Sequence, residues 1–179
     1  MKKLLIIVLS ALIFCSCSLY EPEEAEEKTV GSTEHNEDFL LSIVVEDFHG
    51  MADEPITCYA TITYNGKEPI TIYHGLPLVV FSIDNDEYFA TCDQGIRETV
   101  LTNTTFEPGQ EIRFEFEKNG GWSADDSNVE FYREFFMDKE LKLPEGKYVF
   151  SANMEYSTEQ DDIAGTIENL TASVEIKTE

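Results

Sequence analysis

The chain has 179 residues, of which 42% are hydrophobic and 12% aromatic, and its formal net charge at pH 7 is -24. This length fits one domain and a tail, and the hydrophobic content is sufficient for a core. The acidic excess argues against nucleic acid as a partner, because a phosphate backbone is repelled by such a surface.

The N-terminus has the composition of a secretory signal. Lys2 and Lys3 supply positive charge, and residues 4–14 are apolar except for Ser10. The run is shorter than the roughly 20 apolar residues that a permanent transmembrane helix needs. Together with the small residues that follow, it predicts a signal peptide over residues 1–16.

A cysteine stands where cleavage of this signal is expected. Ser16 is a small residue in front of Cys17, whereas Cys15 follows the bulky Phe14. Ser16-Cys17 resembles the lipobox of bacterial lipoproteins, in which the cysteine thiol receives a diacylglycerol before cleavage. The resemblance implies a lipid at Cys17 that holds the protein on the extracytoplasmic face of the cell membrane. Ordinary cleavage nearby, which would release a free secreted protein, is the alternative.

Residues 17–38 predict an acidic, flexible tether behind the lipidated cysteine. Eight of these residues are Asp or Glu, and few are apolar. Such a segment cannot bury enough surface to offset the entropy of ordering, and its like charges extend it. We therefore expect the folded domain to span residues 39–179.

From Phe39 onward, short segments alternate between apolar and polar residues, which is typical of half-buried strands. Strands are expected near residues 41–46, 56–64, 70–74, 79–83, 88–92, 99–106, 112–116, 149–156 and 170–176. Asn65-Gly66 predicts a hairpin between the second and third of these strands, because both residues accept a positive φ. We expect the strand at 88–92 to pair antiparallel with the one at 79–83.

One stretch has a helical period instead. After the polar loop of residues 118–128, apolar side chains recur at spacings of three and four: Val129, Tyr132, Phe135 and Phe136. Ser127 and Glu130 match a capping box. The sequence therefore predicts a helix of about ten residues from Asn128.

The strand spacing predicts an all-β sandwich, and three turns carry a resemblance to immunoglobulin-like domains. Residues 143–148 (LPEGKY) are similar to the segment that enters the penultimate strand of such domains, where Tyr148 would make a corner bond. Residues 106–110 (FEPGQ) are similar to the turn before a central strand. With the Asn65-Gly66 turn, these segments resemble the bacterial intracellular proteinase inhibitor (BsuPI) group. The resemblance implies an immunoglobulin-like antiparallel β-sandwich with one short inserted helix, and inhibition of a secreted or envelope protease as one function.

Cys58 and Cys92 are the remaining cysteines, one on an apolar strand face and one at a strand end. Secretion allows a disulfide between them, which would stabilise the fold by roughly 3 to 4.7 kcal/mol on the chain-entropy model. Two separate reduced thiols are the alternative, and the sequence favours neither.

Motifs for catalysis and metal binding are missing from the sequence. It has neither a Gly-x-Ser-x-Gly elbow nor a phosphate loop, and its acidic pairs lack the glycine and distant glutamate of a calcium-binding hand. His35, His49 and His74 lack the spacing of metal ligands, and we expect the first in the tether and the other two at the surface. The sequence thus predicts a protein without catalytic residues, metal or cofactor.

Trp122 is the remaining candidate binding residue. It follows Gly120-Gly121 in the polar loop, and Trp is enriched at interface hot spots. The alternative is that its ring folds over the core beside Tyr132 and Phe136. The sequence as a whole favours a non-catalytic binding or accessory module, which is anchored to the membrane by its N-terminal lipid and binds a protein of the cell envelope.

Overall fold

The computed structural model describes residues 28–87, 98–118 and 120–179. These residues form nine strands, one α-helix and a short 3-10 turn at Ile163–Gly165. The elements are β1 (Lys28–His35), β2 (Phe39–Phe48), β3 (Thr57–Tyr64), β4 (Ile70–Leu76), β5 (Val79–Asp84), β6 (Glu98–Phe106), β7 (Glu111–Glu115), α1 (Val129–Met137), β8 (Gly146–Tyr156) and β9 (Glu168–Thr178).

The strands form three antiparallel sheets, with the orders β1-β2-β3-β7, β4-β6 and β5-β8-β9. The β4-β6 pair is joined to the end of β8, because the Tyr73 amide donates to the Ser157 carbonyl (2.8 Å) and the Ser157 amide donates to the Tyr73 carbonyl (2.9 Å). The predicted all-β sandwich with one short inserted helix is confirmed.

The core lies between the four-stranded sheet and the other two sheets. Burial alternates along β2, β8 and β9, as the period of two predicts. Phe39 of β2 shows how the sheets meet, because its ring lies edge-on to Phe106 of β6 and to Tyr156 of β8, with both centroid distances at 5.1 Å. Edge-to-face aromatic packing across the sheets therefore holds one end of the sandwich together.

Two of the turns that carried the resemblance have the expected local structure. Gly109 has a φ of +75°, and the Gln110 amide donates to the Glu107 carbonyl at 2.9 Å. The buried Tyr148 donates its hydroxyl to the Pro144 carbonyl at 3.0 Å. The corner bond that the resemblance implied is thus present.

The predicted domain boundary at Phe39 is wrong. Residues 28–35 belong to the predicted tether, but they form β1 and pair with β2, so that Gly31 lies opposite Val44 and His35 opposite Leu40. Most of β1 is exposed and polar, and Val30 is its apolar residue that packs against the core. The backbone hydrogen bonds of the ladder therefore hold most of β1 in place, and its sequence lacks the alternation of a half-buried strand. Residues 17–27 lie outside the described part of the chain.

The predicted hairpin at Asn65-Gly66 is also wrong. β3 pairs with β2 and β7, and β4 pairs with β6, so this turn carries the chain from one sheet to another. Position 66 requires a glycine because the Tyr64 side chain lies against it. The Tyr64 hydroxyl donates to the Glu68 carbonyl at 2.6 Å. A Cβ on Gly66 would lie only 1.9 Å from that hydroxyl oxygen. The strand expected at 88–92 lies outside the described residues.

The predicted helix is present as α1, but its capping box is not formed. Asn128 is the N-cap and makes no side-chain capping bond; its Nδ2 donates to the Glu87 carbonyl at 3.0 Å instead. Glu130 pairs with Arg133. In the described residues, α1 does not have the length and apolar character that a membrane-crossing helix needs.

Candidate binding cleft and loop

A cleft of about 590 Å³ lies where the start of β3, the end of β7 and the C-terminal end of α1 meet. Its large apolar lining residues are Ile56, Phe116, Phe136, Met137 and Leu141. Its acidic lining residues are Glu115, Glu117, Asp138 and Glu140. Lys118 and Lys139 also line it, so the cleft combines apolar side chains with charged groups of both signs.

Lys118 holds the walls of the cleft together. Its ammonium donates to three backbone carbonyls at the end of α1: Phe135 (2.7 Å), Asp138 (3.1 Å) and Glu140 (2.5 Å). It also lies 4.2 Å from the centroid of the Phe135 ring. Burial lowers the pKa of Lys118. Because an ammonium has three donors, these bonds use all of them and satisfy carbonyls that a helix end leaves unpaired.

Cys58 lines the same cleft from β3. Its thiol is buried and is not part of a disulfide. Burial, with a smaller contribution from the charge of Glu115, raises its pKa to about 12. The thiol is therefore neutral at physiological pH, which makes it a weak nucleophile. The free thiol of Cys58 contradicts the predicted disulfide with Cys92, and Cys92 itself lies outside the described residues.

The carboxylates of the cleft differ in their partners. Lys142 lies 3.2 Å from Asp138 Oδ2 and 2.7 Å from Glu140 Oε2, and Arg113 pairs with Glu115 at 2.6 Å. Hydrogen bonds from the Glu140 amide and from Lys142 lower the pKa of Asp138. Glu117 has no ion pair with any described residue. It is therefore the carboxylate of the cleft that is available to a cation from outside.

Trp122 lies on the loop that leads from β7 to α1, and 42% of its surface is exposed. Trp122 is therefore an exposed residue. The alternative interpretation, in which its ring folds over the core, would require it to be buried. Gly120 of this loop lies against the helix, because a Cβ there would be 2.6 Å from Phe136 Cζ.

Hydrogen bonds hold the described residues of the Trp122 loop, 118 and 120–128, at both ends and in the middle. Lys118 binds the end of α1, and Asn128 binds the Glu87 carbonyl. Between them, the Ser123 amide donates to Asp126 Oδ2 at 2.6 Å, and the Asp126 amide donates to the Ser123 carbonyl at 3.1 Å. The exposed indole is thus presented by a loop with defined local structure.

The expectation that His74 lies at the surface is wrong. His74 is only 5% exposed; its Nδ1 donates to the Gly75 carbonyl at 2.7 Å, and its Nε2 lies 2.9 Å from Thr104 Oγ1. The alternation with Ile72, which faces the core, was the signal for this burial. His35 is exposed but belongs to β1. Among the described residues, no three His, Cys, Asp or Glu side chains are grouped as metal ligands.

Comparison with known proteins gives no relative: no family model, curated protein or solved structure matches the chain. The resemblance to the BsuPI group therefore stays an expectation from the sequence, and one of its three turns, Asn65-Gly66, does not form the expected hairpin. The sequence does not predict the cleft, because its walls come from three separate segments, residues 55–58, 115–118 and 136–141. Met137, an apolar residue at the end of a helix pattern, was its one local signal.

Proposed function

We propose that the protein is a lipid-anchored, extracytoplasmic module that binds a protein of the cell envelope and has no catalytic role. The observation that carries the proposal is the exposed Trp122 on a loop that is held at both ends. An aromatic side chain on an ordered loop loses little conformational entropy when it binds, and Trp residues dominate the energy of many interfaces.

The chemistry around the cleft supports a binding role. The reactive group that lines it is Cys58, and its raised pKa keeps it as the thiol, whereas nucleophilic catalysis needs the thiolate. Lys118 uses its three donors within the fold. The remaining groups are apolar side chains, four carboxylates and the ammonium of Lys139, which offer both apolar and polar contact to a partner.

The anchor is tested by metabolic labelling with a fatty acid. Wild type and Cys15→Ala should incorporate the label equally, and Cys17→Ala should lose it, because Cys17 follows the small Ser16 whereas Cys15 follows the bulky Phe14. Labelling of Cys17→Ala at the wild-type level would refute attachment at this residue.

The binding role is tested by cross-linking in intact cells, followed by recovery of the protein with its partner. Trp122→Ala should reduce the yield of one cross-linked protein, because the variant removes the exposed indole. Leu101→Ala is the matched control, since Leu101 is 46% exposed but lies on β6. Equal loss in both variants, or an unchanged yield in both, would contradict a role for Trp122.

Inhibition of a secreted or envelope protease is the second candidate. The observation that favours it is the hydrogen bonding of the Trp122 loop, because an inhibitory loop must keep its conformation after binding. If the cross-linked partner is a protease, its activity should fall stoichiometrically as this protein is added. An active protease in the complex, or cleavage of residues 118–128, would argue against inhibition.

A further inference from the structure

We infer that the Trp122 loop faces the membrane that holds the N-terminal lipid, and that its partner is a protein embedded in or anchored to that same membrane. The inference rests on the proposed binding function and identifies where the partner is found.

One end of the four-stranded sheet is also the end where the chain enters the domain. Lys28, the first residue of β1, lies opposite Phe48, the last residue of β2. The start of β3 pairs with the same part of β2. β7 runs toward this end, because Phe116, directly after it, donates its amide to the carbonyl of Cys58 at the start of β3 (2.9 Å). We call this side of the domain the tether end.

The sheet of β5, β8 and β9 meets the same end. Gly146, the first residue of β8, lies opposite Thr178, the last residue of β9. The amide of the next residue, Glu179, donates to the carbonyl of Gly50, shortly after β2, at 2.8 Å. β5 also ends here, because its last residue, Asp84, pairs near the start of β8.

Both ends of the Trp122 loop therefore lie at the tether end. The loop leaves β7 there through Lys118, which binds the end of α1. It returns at Asn128, whose side chain binds the carbonyl of Glu87, just beyond β5. The indole is thus presented on the side of the domain that the anchored tether enters.

Other apolar side chains are exposed at the same end. Met51 (46%) lies shortly after β2, and Met137 (71%) ends α1, so both accompany Trp122 (42%). Ile167 (54%) lies at the opposite end, because it directly precedes β9, whose start pairs with the end of β8. The tether end therefore offers an aromatic anchor with further apolar surface around it.

The length of the chain before the domain sets how far this surface can lie from the membrane. Residues 17–27 span at most about 40 Å when fully extended. The 11 residues of β9 add about 35 Å, so the opposite end can lie about 75 Å from the membrane, whereas the tether end stays within about 40 Å. A protein held in the same membrane shares this layer, which raises its effective concentration at the Trp122 loop.

The charges near Trp122 argue against the lipid surface itself as the occupant. Glu117 precedes the indole, and Asp125 and Asp126 follow it. None of the three has an ion pair with any described residue. Insertion among headgroups would bring these carboxylates to the bilayer, where anionic lipids repel them. A protein can receive the indole in a pocket and leave the carboxylates in water.

The orientation is tested by energy transfer from Trp122, the single tryptophan of the chain, to dansyl-labelled lipid headgroups. The full lipidated chain is reconstituted in phosphatidylcholine vesicles. The matched control combines Trp122→Phe with Ile167→Trp, which moves the indole to an exposed position at the opposite end. Because the two ends are about 35 Å apart along the strands, transfer from Trp122 should be at least about twofold more efficient. Equal transfer would overturn the inference.

Vesicles with brominated acyl chains test contact with lipid. The emission of Trp122 should keep its intensity and its wavelength, because the indole lies in water when no partner is present. Quenching together with a blue shift would identify the bilayer as the occupant and would overturn the inference.

The location of the partner is tested in cells that lack this chain. The protein that cross-linking captures through Trp122 should remain with their membranes after a wash with alkaline carbonate, which removes loosely bound proteins. Its recovery in the soluble fraction would overturn the inference and leave the binding function standing. Failure to capture any protein in a Trp122-dependent manner would refute the proposed function, and the inference with it.

Discussion

Gly120 and Gly121 are adjacent, but the structure predicts opposite effects when each is replaced by Ala. A Cβ on Gly120 would lie 2.6 Å from Cζ and 2.8 Å from Cε1 of Phe136, whereas a Cβ on Gly121 would have no atom within 4 Å. Neither glycine has the positive φ that would make Ala strained. The contrast therefore depends on the contact with Phe136.

The expected magnitudes follow from these distances. Ordinary contacts of a Cβ begin near 3.4 Å, so Gly120→Ala must move the ring or the loop, and overpacking of this kind costs about 1–3 kcal/mol. Because Phe136 is only partly buried and can yield, we expect a net loss of about 1 kcal/mol. Gly121→Ala should stabilise the fold by about 0.4–1 kcal/mol, because it restricts the unfolded chain.

Thermal and urea unfolding of both variants measure this difference. The two variants should therefore differ by about 1.4–2 kcal/mol, which corresponds to about 3–8 °C in Tm for a domain of this size. Phe136→Leu removes the Cζ and Cε1 atoms that a Cβ on Gly120 would meet. Gly120→Ala should therefore cost less stability in the Phe136→Leu background than in wild type. Equal stability of the two Ala variants, or no relief by Phe136→Leu, would refute the packing of the Trp122 loop against α1.

Two further predictions concern the core. Tyr148→Phe should lower the free energy of unfolding in urea by about 0.5–1.5 kcal/mol, because the Pro144 carbonyl still accepts a hydrogen bond from Thr178 Oγ1. The double variant with Thr178→Val should lose more than the sum of the two single variants, because the shared carbonyl then has neither donor. Strict additivity would contradict the shared acceptor. The pKa of Cys58 is raised from 9.0 to about 12, so its contribution to stability is complete below pH 9 and is lost as pH rises toward 12. In the presence of reductant, the free energy of unfolding of wild type minus that of Cys58→Ala should therefore fall above pH 9, by at most about 1.4 kcal/mol per pH unit. If the two proteins show parallel curves of stability against pH, the burial of the thiol is contradicted.

The sequence alone determined the elements whose signal is local. β2, β3, β8 and β9 alternate with a period of two because one side of each strand faces the core. α1 has the period of a helix with one buried face. The turn at residues 107–110 and the corner bond of Tyr148 involve residues within four positions of each other, so short motifs were enough to predict them.

Only the tertiary structure decided what depends on distant partners. β1 is held at the sheet edge by backbone bonds to β2, and backbone bonds leave no pattern in the side chains. The chain after Asn65-Gly66 crosses to another sheet because β7, about 50 residues later, takes the place beside β3 that the hairpin would have filled. The cleft has the same origin, because Cys58, Glu117 and Met137 meet only after β3, β7 and α1 have packed. Local sequence fixes which residues face the core, whereas strand pairing and sites depend on contacts between segments far apart in the chain.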